Sequence, residues 1–138
     1  MKNIIKILFM CFALVGYSQG EPSVVPKITI KIALGETITI EHNQVKFVKV
    51  LEDSRCPKGV TCIWAGRAKV LVEINEEGKE LIQKELIFGQ VNQGESKDLT
   101  LFTSEGNIVK GYALKPYPSS EVSSDEREYI LLIIEEKQ

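Results

Sequence analysis

The sequence predicts an all-β fold: a single β-sandwich, immunoglobulin-like or related, of seven to eight antiparallel strands. Three observations carry that prediction. Apolar and polar residues alternate with period two in run after run, and turn-forming residues recur roughly every ten positions. The chain of 138 residues, 43% of them apolar, also suffices for one real core.

Taken in order, the chain begins as an export signal. Lys2 and Lys6 precede an apolar core at Ile7 to Val15, and small residues at Gly16, Ser18 and Gly20 supply cleavage positions after Ser18 or Gly20. Residues 1–20 are thus read as a signal peptide, 21–26 as a linker and 27–138 as the sandwich domain. The apolar run is too short for a membrane-spanning helix. Cys11 invites a lipoprotein reading, but Met10 stands where a lipid-modified cysteine wants a small residue. Ordinary cleavage, with Cys11 lost, is the expectation, and it places the mature domain in the periplasm or outside the cell.

The first strand is expected within Lys27 to Leu34, where Ile28, Ile30, Ile32 and Leu34 alternate with smaller or charged residues. Gly35-Glu36 turns the chain into Thr37 to Glu41, and Asn43-Gln44 turns it again into Val45 to Leu51. The next run leads up to Ile74. Asn75 to Gly78 makes a hairpin loop, returning through Glu80 to Phe88. Gly89 to Ser96 is a polar loop. Strand-like runs follow at Lys97 to Thr103 and Ile108 to Leu114, separated by Glu105-Gly106-Asn107. Pro116-Tyr117-Pro118 must leave any central ladder, since proline donates no hydrogen bond there. Tyr129 to Ile134 closes the chain as a continuously apolar strand, expected where both faces are covered or where one face meets another chain.

The most informative stretch is Asp53 to Val72. Cys56 and Cys62 are the two cysteines left after signal cleavage, an even number in an exported chain, which makes a disulfide the default. Their spacing is neither the C-x-x-C of redox motifs nor a zinc knuckle. Closing the seven-residue ring stabilises the fold by roughly 2 kcal/mol on chain-entropy grounds. Cys62, Trp64, Gly66, Ala68, Val70, Val72 and Ile74 share one parity, so a regular strand would send all seven to the core. Trp64 is then the expected core anchor, packed beside the disulfide. Gly66 is an alternative bulge position where that parity would slip.

The run Asp53-Ser54-Arg55-Cys56-Pro57, continued by Val60, Cys62, Trp64, Gly66 and Ala68, resembles a motif of uncharacterised bacterial exported proteins and lipoproteins. The resemblance is specific over Leu51 to Val72 and looser elsewhere. It implies export and a β domain. It carries over no catalytic residue.

Asp53, Arg55, Pro57, Lys58 and Gly59 form the candidate binding loop. Beside that reading stands a structural one, in which Asp53 caps the turn and Arg55 pairs with Asp53 or Glu52. A disulfide-closed loop offering Lys58 also resembles, in outline, the rigid loops of protease inhibitors, whose rigidity lowers the entropy cost of docking.

Composition excludes several functions. Without the signal, fifteen basic side chains face nineteen acidic ones, a balance unsuited to nucleic acid. His42 is the sole imidazole and falls at a strand end, so no nucleophile–base pair can be assembled from it. The acids are scattered over solvent faces, and no phosphate-cradling glycine loop occurs. The sequence therefore points to an exported, non-enzymatic domain without metal or cofactor that binds an unknown protein or small-molecule partner. The alternatives are a secreted inhibitor presenting the Cys56–Cys62 loop and an envelope, lipoprotein-like structural domain.

Overall fold

Eight stretches of alternating sequence become eight strands in the computed structural model, which describes residues 28–123 and 126–137. The expected signal peptide, Cys11 and the linker lie outside those residues. The strands are β1 (Thr29–Ala33), β2 (Thr37–Ile40), β3 (Asn43–Asp53), β4 (Arg67–Glu76), β5 (Ile82–Gly89), β6 (Thr100–Ser104), β7 (Asn107–Lys115) and β8 (Ile130–Lys137). Two four-stranded antiparallel sheets face each other, with orders β1-β8-β7-β6 and β2-β3-β4-β5. This is the expected sandwich. Its connections are two meanders rather than the Greek key of an immunoglobulin domain, because all neighbours except β8 and β1 are consecutive in sequence.

Period-two alternation decides which residues fill the gap between the sheets. Ile32 on β1, Val45 and Phe47 on β3, Val70 and Val72 on β4, and Leu131 and Ile133 on β8 are fully buried. Burying side chains of this kind stabilises by about 1.5–3 kcal/mol each. At the ends of the first run, Ile28 and Leu34 stay exposed. The apolar closing strand β8 sits between β1 and β7, and Ile134 is buried although its parity turns it away from the facing sheet. On the outer face of β8 Ile134 is buried while Ile130 and Leu132 are half-buried, so full cover on both faces, one of the two expected situations, is reached only at Ile134.

Two irregularities precede the functional region. Register shifts between Phe47 and Lys49 and between Val50 and Glu52 mark bulges in β3. After the second, Asp53 pairs with inward-facing Ala68 and Glu52 with outward-facing Lys69. The two one-residue shifts cancel, so Asp53 keeps the inward parity of Val45 and Phe47 and lies at the end of the core, while Glu52 faces the outer surface.

Candidate functional site

The strand expected to run through Cys62 begins only at Arg67. Gly66 has a φ of +68°, a left-handed conformation that ends regular extension. The parity argument therefore holds from Ala68 to Ile74, all of whose even positions are buried, and fails before Gly66. Trp64 is not a core anchor. Its side chain is 68% exposed, Ile63 is fully exposed and Val60 half exposed. Upstream of β4 the chain leaves the sandwich, so nothing is packed over the indole from the facing sheet.

Cys56 and Cys62 form the expected disulfide, with Cα atoms 5.9 Å apart. The ring stands on a hydrogen-bonded stem: Ser54 N–H donates to Arg67 O at 2.8 Å and Cys56 N–H to Ala65 O at 2.9 Å. Lys58 N–H donates to Pro118 O at 3.0 Å, and Lys58 bridges to Ser119, tying the loop to the segment after β7. Lys58 and Gly59 are exposed and Pro57 half-buried.

Asp53 and Arg55, placed in the candidate binding loop, are withdrawn from solvent instead. Their side chains are 3% and 8% exposed. Residues two apart in an extended chain project to one side, so the guanidinium meets the carboxylate squarely: Nε donates to Oδ1 at 2.7 Å and Nη2 to Oδ2 at 2.8 Å. Arg55 also donates from Nη1 to Leu114 O at 2.7 Å and from Nη2 to Pro116 O at 3.0 Å. Its Cζ lies 5.0 Å from the Tyr117 ring centroid, a cation–π contact. Asp53 Oδ2 accepts from Tyr129 Oη at 3.0 Å and from Arg127 Nη1 at 3.4 Å. These contacts clamp the end of β3 to the end of β7 and the start of β8. The pairing of Arg55 with Asp53 was one of the sequence alternatives. Tyr117, Arg127 and Tyr129 were missed, since they lie 60 or more positions away in the chain and only the fold brings them here.

The clamp's electrostatics follow from competition. Burial alone would raise the Asp53 carboxyl, but the bonds and charge of Arg55 outweigh it and hold Asp53 below its usual range. Burial pushes the Tyr129 phenol up.

A second ion network covers the outer face of the other sheet. Glu95, from the loop after β5, accepts from Lys69 Nζ at 2.7 Å and from Arg67, while Arg67 Nε donates to Glu52 at 3.0 Å. Lys69, the Asn92 amide and Arg67 bring Glu95 down to about 2. Lys84 and the Thr100 amide bring Asp98 down to about 2. All three carboxyls titrate lower folded than unfolded. For Glu95 and Asp98 the stabilisation is therefore complete above the unfolded values, 4.5 and 3.8, and is lost as pH falls toward 2, and the lowered Asp53 adds to the loss in the same direction. The urea midpoint is expected to stay flat from about pH 7 to about pH 5, then fall steeply. Glu95→Gln, measured the same way, should remove part of that acid slope. An equal slope in the variant would exclude the network as its source.

His42 sits exposed in the turn between β2 and β3. Among the described residues no group of three or more His, Cys, Asp or Glu is placed to hold a metal ion. Asp125 lies outside the described residues. No helix among them is long and apolar enough to cross a membrane.

The fold and the site define an all-β sandwich with a disulfide-stapled loop, clamped at its base by a buried Asp–Arg pair. No protein-family model, curated protein or solved structure matches the chain.

Proposed function

We propose that this chain is an exported, non-enzymatic binding domain whose contact surface is the tip of the stapled loop. One observation carries the reading: Val60, Ile63 and Trp64 stand out from the surface together on and beside a ring closed by Cys56–Cys62. Grouped apolar side chains left in water mark interaction sites, and tryptophan is the residue type most enriched where binding energy concentrates. The disulfide and the clamp hold the loop in shape, so little ordering entropy is lost on docking. The disulfide and the motif resemblance support export to an oxidising compartment.

The inhibitor alternative draws less support. Lys58 commits its amide to Pro118 and its strand edge to Ser119, and Gly59 turns the chain at φ +79°. A substrate-like loop needs that backbone free and extended.

A photo-crosslinking residue at Ile63, compared with one at Lys79, tests the proposal in the exporting cell. Lys79 belongs to the β4–β5 turn, about 30 Å away along β4. A discrete adduct from position 63, absent at 79 and lost with Trp64→Ser, is expected. Trp64→Ser itself should shift unfolding by no more than about 0.5 kcal/mol, as for an exposed side chain. Equal labelling from both positions would refute the tip as the contact surface.

A further inference from the structure

Among the described residues, the clamp holds more positive than negative charge. Two nearly buried guanidiniums, Arg55 and Arg127, share the single carboxylate of Asp53. Arg127, 10% exposed, commits Nη1 to Asp53 and Tyr129 and Nη2 to the Val122 carbonyl. Its Nε is buried and has no hydrogen-bond partner. A buried cation without full compensation, and a buried donor left unmade, are both costly.

This imbalance adjoins an open cleft of about 630 Å³, within the range of small-ligand sites. Arg127, Lys58 and Lys115 line it, and neither lysine forms an ion pair among the described residues. Glu126 and Glu128 also belong to the lining. Both are exposed, and neither pairs with any of the three cations. The rest of the wall is largely apolar, with the Tyr117 ring, Val122 and Ile130. Arg55 packs on the Tyr117 ring and so holds it in place. Two lysines without an ion pair among the described residues, beside an aromatic wall, match a ligand that is anionic at one end and apolar at the other.

We propose that this cleft binds a small organic anion, a carboxylate borne on an aromatic or apolar body. Lys58 and Lys115 receive the carboxylate, Arg127 supplies a fixed positive charge behind them, and Tyr117 with Val122 contacts the body. Lys58 belongs to the stapled ring, so the loop forms one wall of the site. The site lies beside the loop tip and does not depend on the tip's binding anything.

Titration of the isotopically labelled, oxidised protein by amide NMR tests this with three probes: benzoate, benzamidine and inorganic phosphate. Benzoate should move the amide signals of Lys58, Tyr117 and Ser119 along saturating curves, while benzamidine, of like shape and opposite charge, leaves them in place. The double variant Lys58→Ala/Lys115→Ala changes only exposed side chains and should fold. It should weaken benzoate binding by about tenfold or more, the scale of one lost charge-assisted contact. Four results would each overturn the proposal: non-saturating benzoate shifts, equal binding of benzamidine, unchanged affinity in the double variant, or saturation by phosphate with benzoate silent. The last would mark a bare anion hole with no role for the apolar wall. Loss of the crosslink at position 63 would leave all four readouts unaffected, so the two proposals fail separately.

Discussion

Arg55→Ala is expected to destabilise the domain by about 3–5 kcal/mol, the range for breaking a buried ion pair from one side. Four hydrogen bonds disappear with the guanidinium, two to Asp53 and one each to the carbonyls of Leu114 and Pro116. The substitution leaves Asp53 ionised between the sheets, with the backbone N–H of residue 55, Tyr129 and the more distant Arg127 as its remaining donors. It also strands two carbonyls at the place where the chain leaves β7. Arg55→Lys should recover little of the loss, because a point-charge ammonium cannot span both carboxylate oxygens and two carbonyls at once. Urea unfolding with a double-mutant cycle checks the account. Asp53→Ala/Arg55→Ala should cost clearly less than the sum of the single changes, since it removes the orphaned charge together with its partner. Strict additivity, or a loss below about 1 kcal/mol for Arg55→Ala, would mean the pair does not hold the sheets together.

How much of this was legible beforehand depends on whether neighbours in sequence or neighbours in space decide the matter. Ile32, Val45 and Phe47, Val70, Val72 and Ile74, and Leu131 with Ile133 announce their faces by alternation, and the structure buries them as the pattern requires, with Ile30 partly buried beside them. The cysteine pair was readable from its count and context. The burial of Asp53 was not, although Asp53 shares the inward parity of Val45 and Phe47: the run read as a strand stops at Leu51, and the two one-residue shifts that turn Lys49 and Leu51 outward cancel before Asp53. Nor was the position of Arg127, which reaches Asp53 across 74 residues of chain. The misreading of Trp64 has a different origin. Parity counting assumes unbroken extension, and an apolar residue on the core parity was carried into the core along with Val70 and Val72. The glycine between them was readable as a bulge, and at a φ of +68° it separates the exposed loop from the buried strand.

That glycine sets the second large effect. Gly66→Ala is expected to cost at least about 3 kcal/mol and to leave little folded protein, placing it among the severe single substitutions. Two separate penalties act there. An alanine at that φ pays about 1–2 kcal/mol for the left-handed conformation itself. Its Cβ would also lie 1.8 Å from the Ser54 carbonyl oxygen and 2.5 Å from the carbonyl carbon. Neither backbone atom can yield cheaply, because Ser54 N–H is bonded to Arg67 O and the next stem bond joins Cys56 to Ala65. Pushing Ser54 away would also drag on Asp53 and Arg55 on either side of it, and so load the clamp. Gly59→Ala separates the two penalties. Its φ is +79°, but a Cβ there meets nothing within 4 Å, so only the conformational cost of about 1–2 kcal/mol applies. Urea midpoints for the two alanine variants should therefore differ widely although both glycines are left-handed. Equal midpoints would mean that the stem relaxes freely and that the approach of Gly66 to Ser54 does not fix where the loop ends and β4 begins.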